Sequence, residues 1–365
     1  MLFYEIYISF SVLLTTPSKH PPHTMIKYVI YLFICFSSIS TQAQHAPAPM
    51  VDSVKTFLDR SLQLIQNNAL NKDNVNWDNL KEQVYLKVAG AKTYDDLISA
   101  YPFIFEQIDD HHGRFIFKQQ SYGWKGNSQP PVNEYLRNAI KNRAQVHAEK
   151  IGKDIAYLSI PGNNDFGNKH LDSIGRSIKE AIAKIHNKNI KGWILDLRLN
   201  SGGNMYPMLA GLTQFLGEGK IGGFVTPTYQ PDGNWIIAKG AFYVDLIKVS
   251  ALPYSGYPIK ADLPIVVLIG EKTASAGEMV AIATIGRPKS VIIGETSAGY
   301  TTVNQGFKIN SYAGLNLAVA YATDRNGKVY PKNLEPDVVV KGGDHFEKLS
   351  DDRKIKEAIT WLRKN

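Results

Sequence analysis

The chain is poor in cysteine, in clustered charge and in long apolar runs. Among its 365 residues only Cys35 is a cysteine, so no internal disulfide and no cysteine-based metal site can form. The formal charge is +8, but lysine and arginine are scattered among acidic residues, which argues against nucleic acid binding. Solubility or affinity for an anionic surface explains that charge equally well. This composition is typical of a soluble globular protein.

The one marked apolar run, near the N-terminus, has the pattern of a secretory signal peptide. From Met25 the chain reads MIKYVIYLFICFSSISTQAQ, with one lysine, an apolar run, and then small and polar residues up to Ala43. The run is too short to span a membrane comfortably, so we expect export and cleavage near Ala43 or Gln44. Residues 1–24 then precede the true start, and Cys35 is removed with the signal peptide.

The apolar pattern divides the chain into four parts. Residues 1–44 hold the signal peptide and its upstream extension. Apolar residues at three- and four-residue spacings predict a small helical N-terminal domain over 45–110. Residues 111–149 are predicted to be a connecting segment, a loop followed by a short helix, and 150–365 form the core.

Strands and helices alternate in the predicted core. The strands IAYLSIPG and IKGWILDLRL flank the helix LDSIGRSIKEAIAKIHN, which makes a β-α-β unit. The pattern recurs where the strands LPIVVLIG and SVIIGET flank the helix AGEMVAIATI. Strands that are apolar throughout indicate a sheet covered on both faces. The core is therefore predicted to belong to the α/β class.

A serine at the predicted start of a helix has two interpretations. The stretch GEKTASAGEM places Ser275 at the turn from a strand into a helix. A hydroxyl there meets free backbone N–H groups and the positive end of the helix dipole, which stabilise an oxyanion. Ser275 and Glu278 also have the S-x-x-E spacing of a capping box. The local pattern alone leaves both a helix cap and a nucleophile open.

Two adjacent glycines follow another predicted buried strand. In DLRLNSGGN, residues 196–204, they let the backbone turn and expose its N–H groups. An ordinary tight turn is one interpretation, and an oxyanion hole with the Gly203 N–H as donor is the other. Neither G-x-G-x-x-G nor the Walker pattern is present, which disfavours a phosphate-binding loop.

A serine nucleophile needs a base, and the histidines offer one candidate pair. Seven of the nine histidines lie before the expected cleavage site or in polar stretches that are predicted to face solvent. The remaining two, His111 and His112, lie in DDHHGRF, between a predicted helix and a strand. Two solvated histidines in a turn, or a metal site, are the other interpretations. No H-E-x-x-H or second ligand cluster accompanies the pair.

Four motifs in order, DLRLNSGG, GEKTASAGEMVAIA, GRPKSVIIGETSAG and PDVVV, resemble the C-terminal processing and tricorn-like serine peptidase family. The resemblance covers residues 105–340 and implies a Clp-protease/crotonase-like core of β-β-α units. It also implies that Ser275 is the nucleophile and that the N–H groups of Ala276 and Gly203 form the oxyanion hole. It implies peptide or protein substrates, and no metal or cofactor.

The candidate base of this chain differs from that of the processing peptidases, which use a lysine in a G-K-G motif as the base. Tyr300 occupies that place here, and a phenol with a pKa near 10 cannot replace a desolvated amine. The histidine-base branch of the family instead uses D-x-H-[ST]. DHHG resembles that motif and implies His112 as the base, although Gly113 replaces the hydroxyl residue. Glu335, before the final PD, is the candidate group that orients the base, with Asp110 as the alternative.

These observations predict an exported serine peptidase, periplasmic or extracellular, with no nucleic acid partner and without a PDZ domain. A histidine base predicts activity that rises through about pH 6 to 7. A non-catalytic protein that binds a small apolar ligand or a peptide on the same fold is the alternative. Export to a compartment without coenzyme A disfavours a crotonase-type acyl-CoA enzyme.

Overall fold

Two β-sheets and the helices that cover them make up the part of the chain that the structure describes. The computed structural model describes residues 49–124, 134–142 and 145–365, and the expected signal peptide lies outside them. Ala48–Asn365 forms one compact unit. The mixed α/β class predicted from the sequence is confirmed.

The smaller sheet is the α/β core that the sequence predicts. Four neighbouring strand pairs in it are parallel, and only the pair at one edge is antiparallel. In spatial order its strands are Val338–Val339 (β15), Ser290–Gly294 (β11), Ile265–Ile269 (β10), Gly192–Asp196 (β5), Ile155–Ser159 (β4) and His147–Ile151 (β3).

Helices cover both faces of this sheet, as its apolar strands predict. Successive residues of β10 alternate between the two faces: Val267 packs in one apolar cluster, whereas Val266 and Leu268 pack in another. The first cluster includes residues of four helices, Leu171–Ile185 (α5), Met205–Gly211 (α6), Thr213–Leu216 (α7) and Ala276–Thr284 (α8). The second includes residues of the helix Arg353–Leu362 (α9).

The larger sheet is antiparallel and was only partly predicted. Its longest strand, Ala313–Asp324 (β13), pairs with four others and so holds the sheet together. The remaining strands are Arg114–Phe117 (β1), Gln120–Tyr122 (β2), Gly219–Val225 (β6), Pro231–Ala238 (β7), Ala241–Val244 (β8), Ile247–Ser250 (β9), Thr302–Lys308 (β12) and Val329–Tyr330 (β14).

The predicted N-terminal helices pack against this larger sheet. Their bounds are Asp52–Asn68 (α1), Trp77–Lys87 (α2) and Ala100–Gln107 (α3). They share one apolar cluster with Phe115 and Phe117 of β1 and with Leu315 of β13. The helices are confirmed, while their division into a domain that ends at residue 110 stays a prediction.

A further helix, Glu134–Asn142 (α4), supports the loop that follows β5. Its Leu136 and Ala139 pack with Leu199 in a small apolar cluster. In the ranges that the structure describes, no helix is both long enough and apolar enough to cross a membrane.

Candidate active site

Ser275 lies at the turn between β10 and α8 in an unusual backbone conformation. Its φ is 50° and its ψ is −115°, whereas an ordinary N-cap residue is extended. A non-glycine residue in such a conformation costs about 1–3 kcal/mol and is found most often at functional sites. The turn is held by its neighbours: the Thr273 hydroxyl donates to the Leu197 carbonyl at 2.9 Å, and the Ala274 N–H donates to the Asn200 carbonyl at 3.0 Å.

Glu278 ties this turn to a second loop. Its fully buried carboxylate accepts the N–H groups of Ser275 at 2.7 Å and of Gly299 and Tyr300 at 2.9 Å, together with the Ser297 hydroxyl. Burial raises the pKa of Glu278 to about 7, although these hydrogen bonds oppose the rise. The glutamate that the sequence assigns to a helix cap therefore also fixes the loop that carries Tyr300.

The glycine pair after β5 packs directly against Ser275. Gly202 and Gly203 have φ values of 108° and 111°, which favour glycine. A Cβ on Gly202 would lie 2.9 Å from the Ser275 Cβ, and one on Gly203 would overlap the Asn163 carbonyl. Among the described residues, neither the Gly203 N–H nor the Ala276 N–H has a protein acceptor. Both residues line the same cavity as Ser275, as an oxyanion hole requires.

The charged residues of DLRLNSGG form buried ion pairs that stabilise the fold. Arg198 is 1% exposed, and its guanidinium contacts Asp196 at 2.6 Å, Asp352 at 2.7 Å and Asp344 at 2.8 Å. A buried ion pair with several partners of this kind is costly to break. It attaches the start of α9 to the loop that leads into the glycine pair.

His112 lies in the turn between α3 and β1. The buried Asp110 carboxylate accepts the N–H groups of His112 at 3.1 Å, Gly113 at 2.6 Å and Ala318 at 3.0 Å. A Cβ on Gly113 would lie 2.5 Å from an Asp110 carboxylate oxygen and 2.7 Å from a ring carbon of Phe105. A side chain at residue 113 therefore does not fit unless Asp110 or Phe105 moves.

Thr302, at the start of β12, orients the His112 ring. The Nδ1 atom of His112 lies 2.9 Å from the Thr302 hydroxyl oxygen. Burial, together with the charges of Arg114 and His111, lowers the pKa of His112 to about 3, and the hydrogen bond to Thr302 opposes the shift. The ring is therefore neutral well below pH 6. With this lowered pKa we expect the activity that depends on a neutral His112 to rise at a pH below the 6 to 7 predicted for an ordinary histidine.

The two acids predicted to orient the base, Glu335 and Asp110, do not contact the His112 ring. Glu335 lies outside the cavity, and its carboxylate accepts the Thr296 hydroxyl at 2.5 Å. Asp110 contacts the backbone of His112 rather than its ring. Glu335 therefore does not orient the ring in this structure. Sequence reasoning missed Thr302, whose only signal is a hydroxyl residue at the start of a strand.

A cavity of about 490 Å³ brings the other predicted residues together. Its lining includes Ser275, His112, Gly203, Ala276 and Tyr300, so both sheets contribute to one site. The Tyr300 ring, where the resemblance implies a lysine, meets the His112 ring edge-on with centroids 5.0 Å apart. Over the ranges that the structure covers, no group of three His, Cys, Asp or Glu side chains is arranged to hold a metal ion.

Comparison with models of known protein families shows which family the chain belongs to. The model of peptidase family S41 matches residues 154–340, just over half of the chain. The match spans the β5 loop with its glycine pair, the Ser275 turn and β12 with Thr302. The chain belongs to peptidase family S41.

Two individual relatives are similar to the chain over more than half of its length. A nisin-resistance protein from Lactococcus lactis subsp. lactis is 26% identical over 295 residues, covering 78% of this chain and 83% of the relative. A carboxy-terminal-processing protease from Bartonella bacilliformis is 28% identical over 217 residues. That match covers 59% of this chain and 45% of the protease, so the chain spans less than half of that relative.

Solved structures share the fold. A lipoprotein from Streptococcus agalactiae superposes with a TM-score of 0.63 at 22% identity, covering 85% of this chain and 96% of the lipoprotein. The photosystem II D1 C-terminal processing protease gives a TM-score of 0.52 at 15% identity, with 83% of this chain and 97% of the protease covered. At these identities the similarity establishes the fold.

Proposed function

We propose that the protein is an exported serine peptidase that cuts peptide bonds with Ser275 as nucleophile and His112 as base. One observation carries the proposal: a strained serine, a neutral histidine and two N–H groups without acceptors converge on one cavity. Membership of a peptidase family supports peptide or protein substrates.

The neutral imidazole suits the first step. Its Nδ1 faces Thr302, which leaves Nε2 to take the Ser275 proton as Oγ attacks the scissile carbonyl carbon. The N–H groups of Gly203 and Ala276 then hold the oxyanion of the tetrahedral intermediate. The same Nε2 gives its proton to the leaving amine, and water hydrolyses the acyl-enzyme by the reverse sequence.

A binding protein on the same fold is the second candidate, and one observation favours it. In the described structure no hydrogen bond joins the Ser275 hydroxyl to the His112 ring, and apolar side chains such as Met205, Phe224 and Met279 line the cavity. The catalytic contact commonly forms only when substrate is bound, so the two candidates need a chemical test.

A fluorophosphonate reagent separates the two candidates, because it reacts only with an activated serine. We expect labelling of the wild type, no labelling of Ser275→Ala, and unchanged labelling of the control Ser177→Ala, whose serine is exposed on α5. Peptide mapping of the adduct identifies the labelled residue. Folded wild type that resists labelling would favour the binding protein.

Export is tested separately. The Met25–Gln44 stretch supports a signal peptide that is removed near Ala43. We expect N-terminal sequencing of the protein recovered from outside the cytoplasm to begin close to His45. Recovery of the full-length chain in the cytoplasm alone would contradict export.

A further inference from the structure

The catalytic cavity carries a positive charge with no acid to balance it. Arg114 is the one lysine or arginine among the described residues that line the cavity, and none of those residues is an aspartate or a glutamate. The remaining lining is neutral: amides, hydroxyls, aromatic rings, methionines and the His112 ring.

The Arg114 side chain is fixed in place. Its Nη1 donates to the carbonyls of His111 at 2.8 Å and Gly113 at 2.6 Å. Gly123 packs on the stem so closely that a Cβ there would lie 2.7 Å from the Arg114 Cδ. Backbone carbonyls thus hold one nitrogen of the guanidinium, and no described carboxylate forms an ion pair with it.

A second group at this end of the cavity also lacks a partner. The Asn304 amide nitrogen donates to the His112 carbonyl at 2.9 Å, which fixes the orientation of the amide. Its oxygen is buried and accepts no hydrogen bond from the described residues. Buried polar atoms are almost always hydrogen-bonded, so the unpaired oxygen sets this wall of the cavity apart from the protein interior.

The strands place these two groups on the same sheet. Arg114 of β1 lies opposite Asn316 of β13, and β12, which carries Asn304, pairs with β13 as well. Arg114, Asn304 and Asn316 all line the cavity beside His112. A guanidinium, an amide acceptor and a second amide therefore share one wall.

We propose that Arg114, on this polar wall of the cavity, binds a carboxylate of the peptide substrate. A guanidinium matches a carboxylate with paired hydrogen bonds, and its planar geometry makes the contact selective. This inference rests on the proposed function, because it names a substrate class for the same site. The carboxylate comes from an acidic side chain or from the C-terminus of the peptide.

Binding of a carboxylate also favours the chemistry. The Arg114 charge contributes to the low pKa of His112. A substrate carboxylate beside Arg114 offsets that charge, so the imidazole becomes a stronger base when such a peptide is bound. An acidic peptide should therefore bind more tightly and also undergo the proton-transfer step faster.

Peptide binding to the Ser275→Ala protein tests the inference without turnover. Short peptides are compared in matched pairs, a free C-terminal acid against its carboxamide, and Asp or Glu against Asn or Gln. We expect the acid of one pair type to bind about 10- to 100-fold more tightly than its amide. Which pair type shows this ratio identifies the source of the carboxylate.

Substitution of Arg114 completes the test. Adding Arg114→Gln should reduce the acid-to-amide ratio to about one, and Arg114→Lys should keep part of it because the charge remains. The control Arg176→Gln removes an exposed arginine on α5 and should leave the ratio unchanged. The ratio is the readout because a general disturbance of the His112 turn would weaken the binding of the acid peptide and of the amide peptide equally.

Failure of this inference differs from failure of the proposed function. An acid-to-amide ratio near one for every pair, or no measurable binding, overturns the role of Arg114 even if fluorophosphonate labels Ser275. A high ratio that Arg114→Gln abolishes supports that role even if the wild type resists labelling. In that case the site binds acidic peptides without cleaving them.

Discussion

Ser275 and His112 lie in turns next to strands of two different sheets, and different contacts fix the two turns. The Ser275 turn follows a parallel strand: the Glu278 carboxylate accepts its N–H, and the Gly202 backbone packs directly against it. The His112 turn precedes an antiparallel strand and is fixed by the side chains of Asp110 and Thr302.

The difference shows where the site tolerates change. A turn with another backbone segment packed directly against it cannot accommodate an added atom, so a substitution at that contact disturbs structure and activity together. A ring oriented by single side-chain hydrogen bonds can lose one of them and keep the fold. The predictions below use this contrast, from the largest expected effect to the smallest.

Gly203→Ala should have the largest effect, on the nucleophile side. The added Cβ overlaps the Asn163 carbonyl, and the φ of 111° is strained for alanine. Misplacing one oxyanion donor costs about 10²- to 10³-fold in kcat. We expect at least that loss together with a lower melting temperature, measured by peptide hydrolysis and thermal unfolding. Full activity in Gly203→Ala would show that this loop is not rigid.

Thr302→Val should have an intermediate effect, on the base side. The change removes the hydrogen bond to His112 Nδ1 but keeps the shape of the side chain. We expect kcat to fall by about 10- to 100-fold, less than the ~10⁴-fold loss when an aspartate in this role is replaced. The melting temperature and KM should change little. The exposed Thr360→Val is the control, and equal kcat values for the two variants would exclude Thr302 as the orienting group.

Glu278→Gln should change the pH dependence of stability. Burial raises the pKa of Glu278 from 4.5 to about 7, so the folded state holds this proton more tightly than the unfolded state. The resulting stabilisation is complete below about pH 4.5 and is lost as pH rises through about 7. The unfolding free energy of the wild type should therefore fall by about 3 kcal/mol relative to the variant over that range. A difference that is constant with pH would contradict the raised pKa.

Glu335→Gln should have the smallest effect. The Glu335 carboxylate contacts Thr296 outside the cavity, so it does not act on the His112 ring. We expect kcat and the melting temperature to stay within about twofold and a few degrees of wild type. A loss of kcat as large as that of Thr302→Val would restore Glu335 as the orienting acid.

The sequence predicts the parallel sheet well and the antiparallel sheet poorly, for a physical reason. Strands such as β10 are buried on both faces, so they are apolar at every position and stand out. Strand β6, GKIGGFV, is rich in glycine and polar at its start, and β7 begins with proline. Their partners, rather than their own composition, make these segments strands.

The same contrast governs what could be predicted of the site. Ser275, Gly203 and Ala276 lie in short motifs whose residues are close in the chain, so local pattern identifies them. Thr302 lies 190 residues from His112, and only the pairing of β12 with β13 brings it to the ring. Asp110 and Glu335 are carboxylates, the usual partners of a catalytic histidine, whereas a threonine is not. The sequence therefore pointed to these two acids and not to Thr302.

The central claim is that one side chain from each sheet works on the same reaction, and the rate at which fluorophosphonate labels Ser275 tests it most directly. We expect His112→Ala to slow labelling by about 10²- to 10⁴-fold while the melting temperature stays close to wild type. The exposed His147→Ala should label at the wild-type rate. If folded His112→Ala labels as fast as the wild type, the two sheets do not form one catalytic site.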